Sequence, residues 1–201
     1  MSLLSQLEEL QWKQLQHDEM YHKDIWILTV QQRITHMALH LSKYSSKLTR
    51  AAFEKNNVVM HKAIIDSFII TFSSANIFDV LLGDIAFPDI NDYEHDLKTI
   101  SKKAYESLSL SEDSPIISLA LNILDNTGRM CKVVESLDHL ENLSFRENLV
   151  TCLVQLLKNL FGLCHALEIN DIPEQICERL YNVEKRKSFF KRMGNYKTGY
   201  K

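Results

Sequence analysis

Between Ile27 and Ala52 the apolar positions Ile27, Val30, Ile34, Met37, Leu41, Tyr44, Leu48 and Ala51 recur in alternating steps of three and four. That is the repeat of one helix face packed on other helices, and it predicts a single long helix from Ile27 to Ala52. One position upstream of the seam runs a second series on the same step: Arg33, His36, His40, Lys43, Lys47 and Arg50. Cations and imidazoles therefore border the buried face along most of the helix.

A polar break at Glu54–Asn57 precedes a second helix, from about Val58 to Leu82, that is apolar nearly all round. Such a helix is covered on several sides. Its polar exceptions Lys62, Asp66, Ser73 and Asn76 fall on one narrow stripe. A buried polar group without a partner costs roughly 1–3 kcal/mol, so the stripe must meet partners, water or a ligand.

Gly83–Asn91, with Pro88, reads as a loop, and a third helix is expected over about Asp92–Leu108. Its His95-Asp96 pair has the form of an HD metal motif, but no companion ligands follow in order, so a surface pair is expected. After the polar linker Ser109–Ser114, Ser114-Pro115 offers an N-cap followed by proline at the first helical position. The helix that follows runs to about Leu140 with the seam Ile116, Ala120, Ile123, Thr127, Met130, Val134 and Leu137. Ser144 and Glu147 have capping-box spacing for a helix over about Phe145–Leu167. Its polar exceptions Asn148, Thr151, Gln155 and Lys158 again share one stripe. Asp171-Ile172-Pro173 opens a last helix reaching about Phe190.

The same order thus occurs twice: a seam helix, a break, and a greasy helix with one polar stripe. The expected fold is all-α, a helical bundle of two diverged helical-hairpin repeats, with repeat halves 26–82 and 115–190 inside a single unit 26–190. Residues 1–25 are expected to form an N-terminal helical arm and 191–201 a basic C-terminal tail. In the arm, His17, His22, Asp18, Glu19 and Asp24 are dense enough to raise the question of a metal. No matching ligand set follows at a closing distance, and the expectation is no metal site.

Composition narrows the class. The 201 residues are 45% apolar with only five Gly and three Pro, enough to bury one helical core. No secretory signal pattern opens the chain, and the run Ile64–Leu82 carries Asp66, Asn76 and Asp79, so a buried core helix is expected and no membrane partner. Cys131, Cys152, Cys164 and Cys177 lack C-x-x-C spacing, consistent with free thiols in a reducing compartment, and the expected location is cytoplasmic. The net charge is −3, yet Glu184–Lys201 holds seven Lys/Arg against one acid, leaving about −9 on the remainder. A basic end can bind phosphates, but a solvated terminus is the expectation and nucleic acid is not an expected partner.

The paired hairpins resemble the all-α NTP pyrophosphatases, the MazG-like superfamily. The resemblance is carried by Leu39–Leu48, Ala63–Asp66 and Ser74–Asp79 in the first half, and by Asp125–Met130, Asn148–Thr151 and Leu180–Arg186 in the second. That family implies E-x-x-E on one helix and E-x-x-D on the next, holding Mg²⁺ against a nucleoside triphosphate. On this register the acid positions hold Tyr44 and Lys47, Ala63 and Asp66, Asn126 and Arg129, and Asn148 and Thr151, so Asp66 alone survives of eight.

The resemblance then implies a degenerate metal site. The expected function is binding of a nucleotide or other phosphate-bearing ligand, with weak or lost pyrophosphohydrolase activity. Fixed cations would replace the metal, and His36, His40, Lys43, Lys47, Arg50, Lys62, Asp66, Asn76, Arg129 and Lys158 would line or rim the pocket. No catalytic residue and no cofactor is assigned. One alternative is a helical protein–protein interaction module without a small-molecule site. The other is an active Mg²⁺-dependent pyrophosphohydrolase with displaced ligands drawn from Asp79, Asp84, Asp125 or Glu135. An internally duplicated bundle could be a monomer or a homodimer.

Overall fold

The computed structural model describes residues 3–89, 96–139 and 141–193, with side chains described over 5–185 of these. His95 of the HD pair, Leu140 and most of the basic tail lie outside the described residues. Among the described residues the chain is all helical: α1 (Leu3–Tyr21), α2 (Lys23–Trp26), α3 (Val30–Phe53), α4 (Asn57–Ile77), α5 (Leu82–Ala86), α6 (Leu97–Glu106), α7 (Pro115–Asp138), α8 (Phe145–Ala166) and α9 (Ile172–Met193). The centre is formed by α3 on α4, α7 on α8, α3 on α7 and α4 on α8, with α6 against the far side of α8 and with α1 and α9 against α4.

Local chemistry sets several of these bounds. The long first helix begins at Val30, three residues later than its seam predicts. The cause is a capping box: the Thr29 side chain accepts from the Gln32 backbone N–H, and the Gln32 side chain accepts from the Thr29 N–H. Ile27 and Val30, the first two seam positions, are therefore exposed rather than packed. The second helix stops at Ile77, where Asp79 takes a positive φ of 52° and the chain restarts as α5. The capping box expected at Ser144 does not form; no side chain caps α8, and Asn148 Nδ2 donates to the Ser144 carbonyl instead. Asp96 caps α6 by accepting from the Thr99 N–H, so that helix starts later than Asp92.

The core confirms the covered character of α4 and α8. Phe68 of α4, in ring contact with Phe72, meets Phe161 of α8, which in turn meets Phe87 after α5, with Phe68–Phe161 and Phe87–Phe161 centroids 5.1 and 5.7 Å apart, both edge to face. Ser67, Thr71 and Ser74 are buried because each hydroxyl donates to the carbonyl four residues back. Asn57–Ile77 and Phe145–Ala166 are each long and apolar enough to cross a membrane by length and composition; their most apolar stretches are 61% and 67% buried inside the fold, as core helices are.

The polar stripe of α4 has a clear purpose in this packing. Asn76 Nδ2 donates to the Gln11 carbonyl, Ser73 Oγ donates to Asp18, and Asp66 receives Arg179 of α9. Gln11 completes the seam by donating to the Val80 carbonyl and accepting from the Leu82 N–H. The stripe is thus the line along which α1 and α9 dock. Between these two helices, α2, and the paired α3 and α4 lies a cleft.

Candidate functional site

The cleft has a volume of about 160 Å³. Its apolar wall is Ile25 and Trp26 of α2, Met37 of α3 and Ile69, Ile70 and Ile77 of α4; its polar groups include His17, Asp18, His22, Arg33, His36, His40, Tyr44, Asp66 and Arg179. Drug-sized pockets run to about 300–1,000 Å³, so this one is small, and a drug-sized ligand would extend beyond it.

Residues one helical turn apart on α3 build one side. Arg33 lies over the Trp26 ring with its guanidinium carbon 5.0 Å from the centroid, while its Nε is buried with no hydrogen-bond partner. His36 and His40 stack with centroids 4.5 Å apart, and His40 Nδ1 is also buried without a partner. Burial holds both imidazoles below the ordinary histidine pKa. For His40 the neighbouring Lys43 adds to the effect and the pKa is pushed down to about 4, so both rings are neutral at pH 7.

The far end of the cleft is closed by an ion pair. Arg179 Nε donates to Asp66 Oδ1 at 2.7 Å, with Nη2 3.5 Å from Oδ2. Tyr44 sits beside the pair, and its phenol pKa is raised first by burial and then by the Asp66 carboxylate. Asp66 and Arg179 also line a shallower groove on the other side, with His61, Lys62 and Glu178, so the pair partitions two depressions.

The ten residues expected from sequence divide accordingly. His36, His40, Asp66 and Asn76 line the cleft. Lys43 and Lys47 are exposed, their ammonium groups 4.2 and 5.8 Å from the centroid of Tyr44, which does line it. Arg50 is exposed further along α3, and Lys62 lies in the outer groove. Arg129 does not reach the cleft: it sits on α7 with a side chain 70% exposed and pairs with Asp125 at 2.9 Å. Lys158, half-buried on α8, is likewise absent from the lining. The physical reason is that α1, α2 and α9 roof only the stretch of α3 and α4 on which Arg33–Tyr44 and Asp66–Ile77 stand. Comparison with protein-family models, curated proteins and solved structures finds no match to this chain.

Three cleft residues carry more weight in the structure than in the sequence. Arg33 belongs to the basic edge but was not among the expected site residues, although it alone of that edge combines a buried, unpartnered guanidinium nitrogen with an aromatic platform. Arg179 carries no local signal, since its partner lies 113 positions away. His17 is buried, with both ring nitrogens unpartnered. The acids named as displaced metal ligands are outside the lining. Asp79 and Asp84 are exposed, Asp125 is held by Arg129, and Glu135 contacts Lys132 and His139 on the surface. Among the described residues Asp18 and Asp66 are the carboxylates of the cleft, and each already accepts hydrogen bonds from protein side chains.

Proposed function

We propose that this chain is a divergent MazG-like protein that binds a phosphate-bearing small molecule, a nucleotide among the candidates, in the α1–α4/α9 cleft, with Mg²⁺-dependent pyrophosphate hydrolysis lost. The observation that carries the reading is the pair of buried, unpartnered nitrogens, Arg33 Nε and His40 Nδ1, on one face of a mixed apolar and cationic cleft. A buried guanidinium N–H without an acceptor is costly, and an anionic oxygen is the acceptor that satisfies it best. His36 and His40 are neutral in the free protein, and each can take up a proton when an anion arrives.

The apolar wall of Trp26, Met37, Ile69 and Ile70 suits the body of such a ligand. Loss of hydrolysis fits the carboxylates: Arg179 neutralises Asp66 in place of a metal cation, and Tyr44 and Lys47 stand where the resemblance implies acids. The diverged-repeat reading is supported by the packing of α3/α4 against α7/α8. A cytoplasmic location is supported by four free cysteines, with Cys152 and Cys164 buried and their thiol pKa values pushed up by that burial, which makes them inert.

The test is a thermal-shift panel of nucleoside mono-, di- and triphosphates, pyrophosphate and phosphate, run in EDTA and again in Mg²⁺. Stabilisation by at least one phosphate compound in EDTA, without turnover in Mg²⁺, is the expected result. No shift across the panel, or Mg²⁺-dependent release of pyrophosphate, overturns it.

A further inference from the structure

At the α1 end of the same cleft, His17, Asp18 and His22 offer ligand atoms that all lie within 4.8 Å of one another. We propose that these three side chains form a transition-metal site of the zinc class, with a fourth coordination position opening into the cleft. The proposal goes beyond the phosphate-binding reading and does not rest on it.

Backbone geometry makes the convergence. Residues 17 and 18 stand on the last turn of α1, where side chains five apart would ordinarily diverge. The helix ends at Tyr21 and His22 takes φ −126° and ψ 42°, while its N–H still donates to the Asp18 carbonyl at 2.9 Å. That break turns His22 back toward His17, and the two rings lie 5.5 Å apart between centroids.

Two observations beyond proximity point to a ligand. His17 is only 5% exposed, yet neither of its ring nitrogens has a hydrogen-bond partner. A buried imidazole normally has at least one nitrogen bonded, so the position is costly unless something is bound there. Asp18, in contrast, is held from behind: Gln14 Nε2 donates to Oδ1 at 2.9 Å and Ser73 Oγ to Oδ2 at 2.6 Å. Outer hydrogen bonds that aim a carboxylate are the usual support of a metal ligand.

The donor set selects the ion. Two imidazoles and one carboxylate favour zinc and its neighbours over Mg²⁺ or Ca²⁺, which prefer oxygen donors throughout. Three protein ligands with one open position is the pattern of reactive rather than purely structural zinc sites. Tetrahedral zinc with bonds of about 2.0–2.1 Å sets ligand atoms about 3.3 Å apart. His17 Nδ1 and Asp18 Oδ1 are 4.0 Å apart, so closure takes a movement of less than 1 Å in that pair. His17 also lines an outer groove with Lys13, Met20 and Cys177, which provides a route for the ion from solvent.

The experiment uses the full untagged chain, stripped with EDTA, dialysed, and titrated with Co²⁺ and Zn²⁺ alone. The expected result is one bound metal per chain and the intense visible absorption of low-symmetry, tetrahedral Co²⁺. Affinity falls at least tenfold in both His22→Gln and Asp18→Asn, and stays unchanged in His139→Gln, a surface histidine paired with Glu135. Circular dichroism melts of each variant separate misfolding from ligand loss, and Asp18→Asn, nearly isosteric, keeps the fold if His22→Gln does not. Substoichiometric uptake by the wild-type chain, or stoichiometric uptake undiminished in both variants, overturns the site. Failure of phosphate compounds to bind in EDTA leaves these readouts untouched, so the two proposals fail separately.

Discussion

Replacing Arg179 with methionine removes the charge that closes the cleft while keeping the aliphatic stem. The side chains of Asp66 and Arg179 are 18% and 36% exposed. Their geometry is one short bond at 2.7 Å and one long at 3.5 Å. Exposed ion pairs contribute about 0–1 kcal/mol, and breaking a fully buried pair costs about 3–5. Partial exposure of the arginine puts this pair between those limits, so Arg179→Met should destabilise the fold by roughly 1.5–3 kcal/mol. Most of that is the cost of leaving Asp66 charged and largely covered beside Tyr44. Asp66→Asn should cost less, about 1 kcal/mol, because Arg179 can swing toward the outer groove. In the double variant the two losses should not add, with a coupling of about 1–2 kcal/mol. Urea unfolding at pH 7 followed by circular dichroism reads all three differences. A change below about 0.5 kcal/mol in Arg179→Met, or full additivity, refutes the assignment of this pair as the clasp between α4 and α9.

Two glycines with opposite surroundings give a second check. A Cβ at Gly162 would lie 2.8 Å from Leu119 Cδ2 and 3.3 Å from Leu108 Cδ1, so Gly162→Ala should cost about 1–3 kcal/mol by overpacking; nothing lies within 4 Å at Gly128, where alanine should add about 0.5–1 kcal/mol of helix stability. Equal effects at both positions in thermal melts would refute the α7–α8 packing. The pH dependence of folding should carry a histidine signature. His40 titrates near 4 in the folded chain and near 6.5 when unfolded, so between those values the unfolded state binds the extra proton. Its contribution is intact above about pH 6.5, is lost as pH falls toward 4, and is flat below. The full shift would correspond to about 3 kcal/mol, which solvent screening of a half-exposed ring reduces to about 1–2. His40→Gln should therefore flatten the stability curve between pH 6.5 and 4, and parallel wild-type and variant curves would contradict the half-buried neutral ring.

Helix identity was legible because it rests on local periodicity. Most positions of the 3,4 seam of α3 and of the Thr127-containing seam of α7 are buried, and the two helices pack on each other. The all-round apolar character of α4 and α8 marked them as the covered helices. What periodicity cannot say is which part of a helix is roofed. Arg33, His36 and His40 stand on the same register as Lys47 and Arg50, but only the first three lie under α1 and α2. The polar stripe of α4 was legible as a line needing partners; that those partners are Asp18, Gln11 and Arg179 depends on contacts across 55, 65 and 113 positions. His17 and His22 stood out by density alone, and their convergence depends on a helix break between Tyr21 and Lys23 that no glycine or proline announces.

The claim that matters most is that the buried Arg33 N–H is reserved for an anionic oxygen. Its Nε–Hε resonance, assigned by its disappearance in Arg33→Lys, can be followed in nitrogen–proton correlation spectra while pyrophosphate or a nucleoside triphosphate is titrated in EDTA. A saturable shift of that resonance, accompanied by Trp26 and the His36 and His40 rings, is the predicted result. Binding that moves only surface arginines such as Arg129, with Arg33 unmoved, would contradict it.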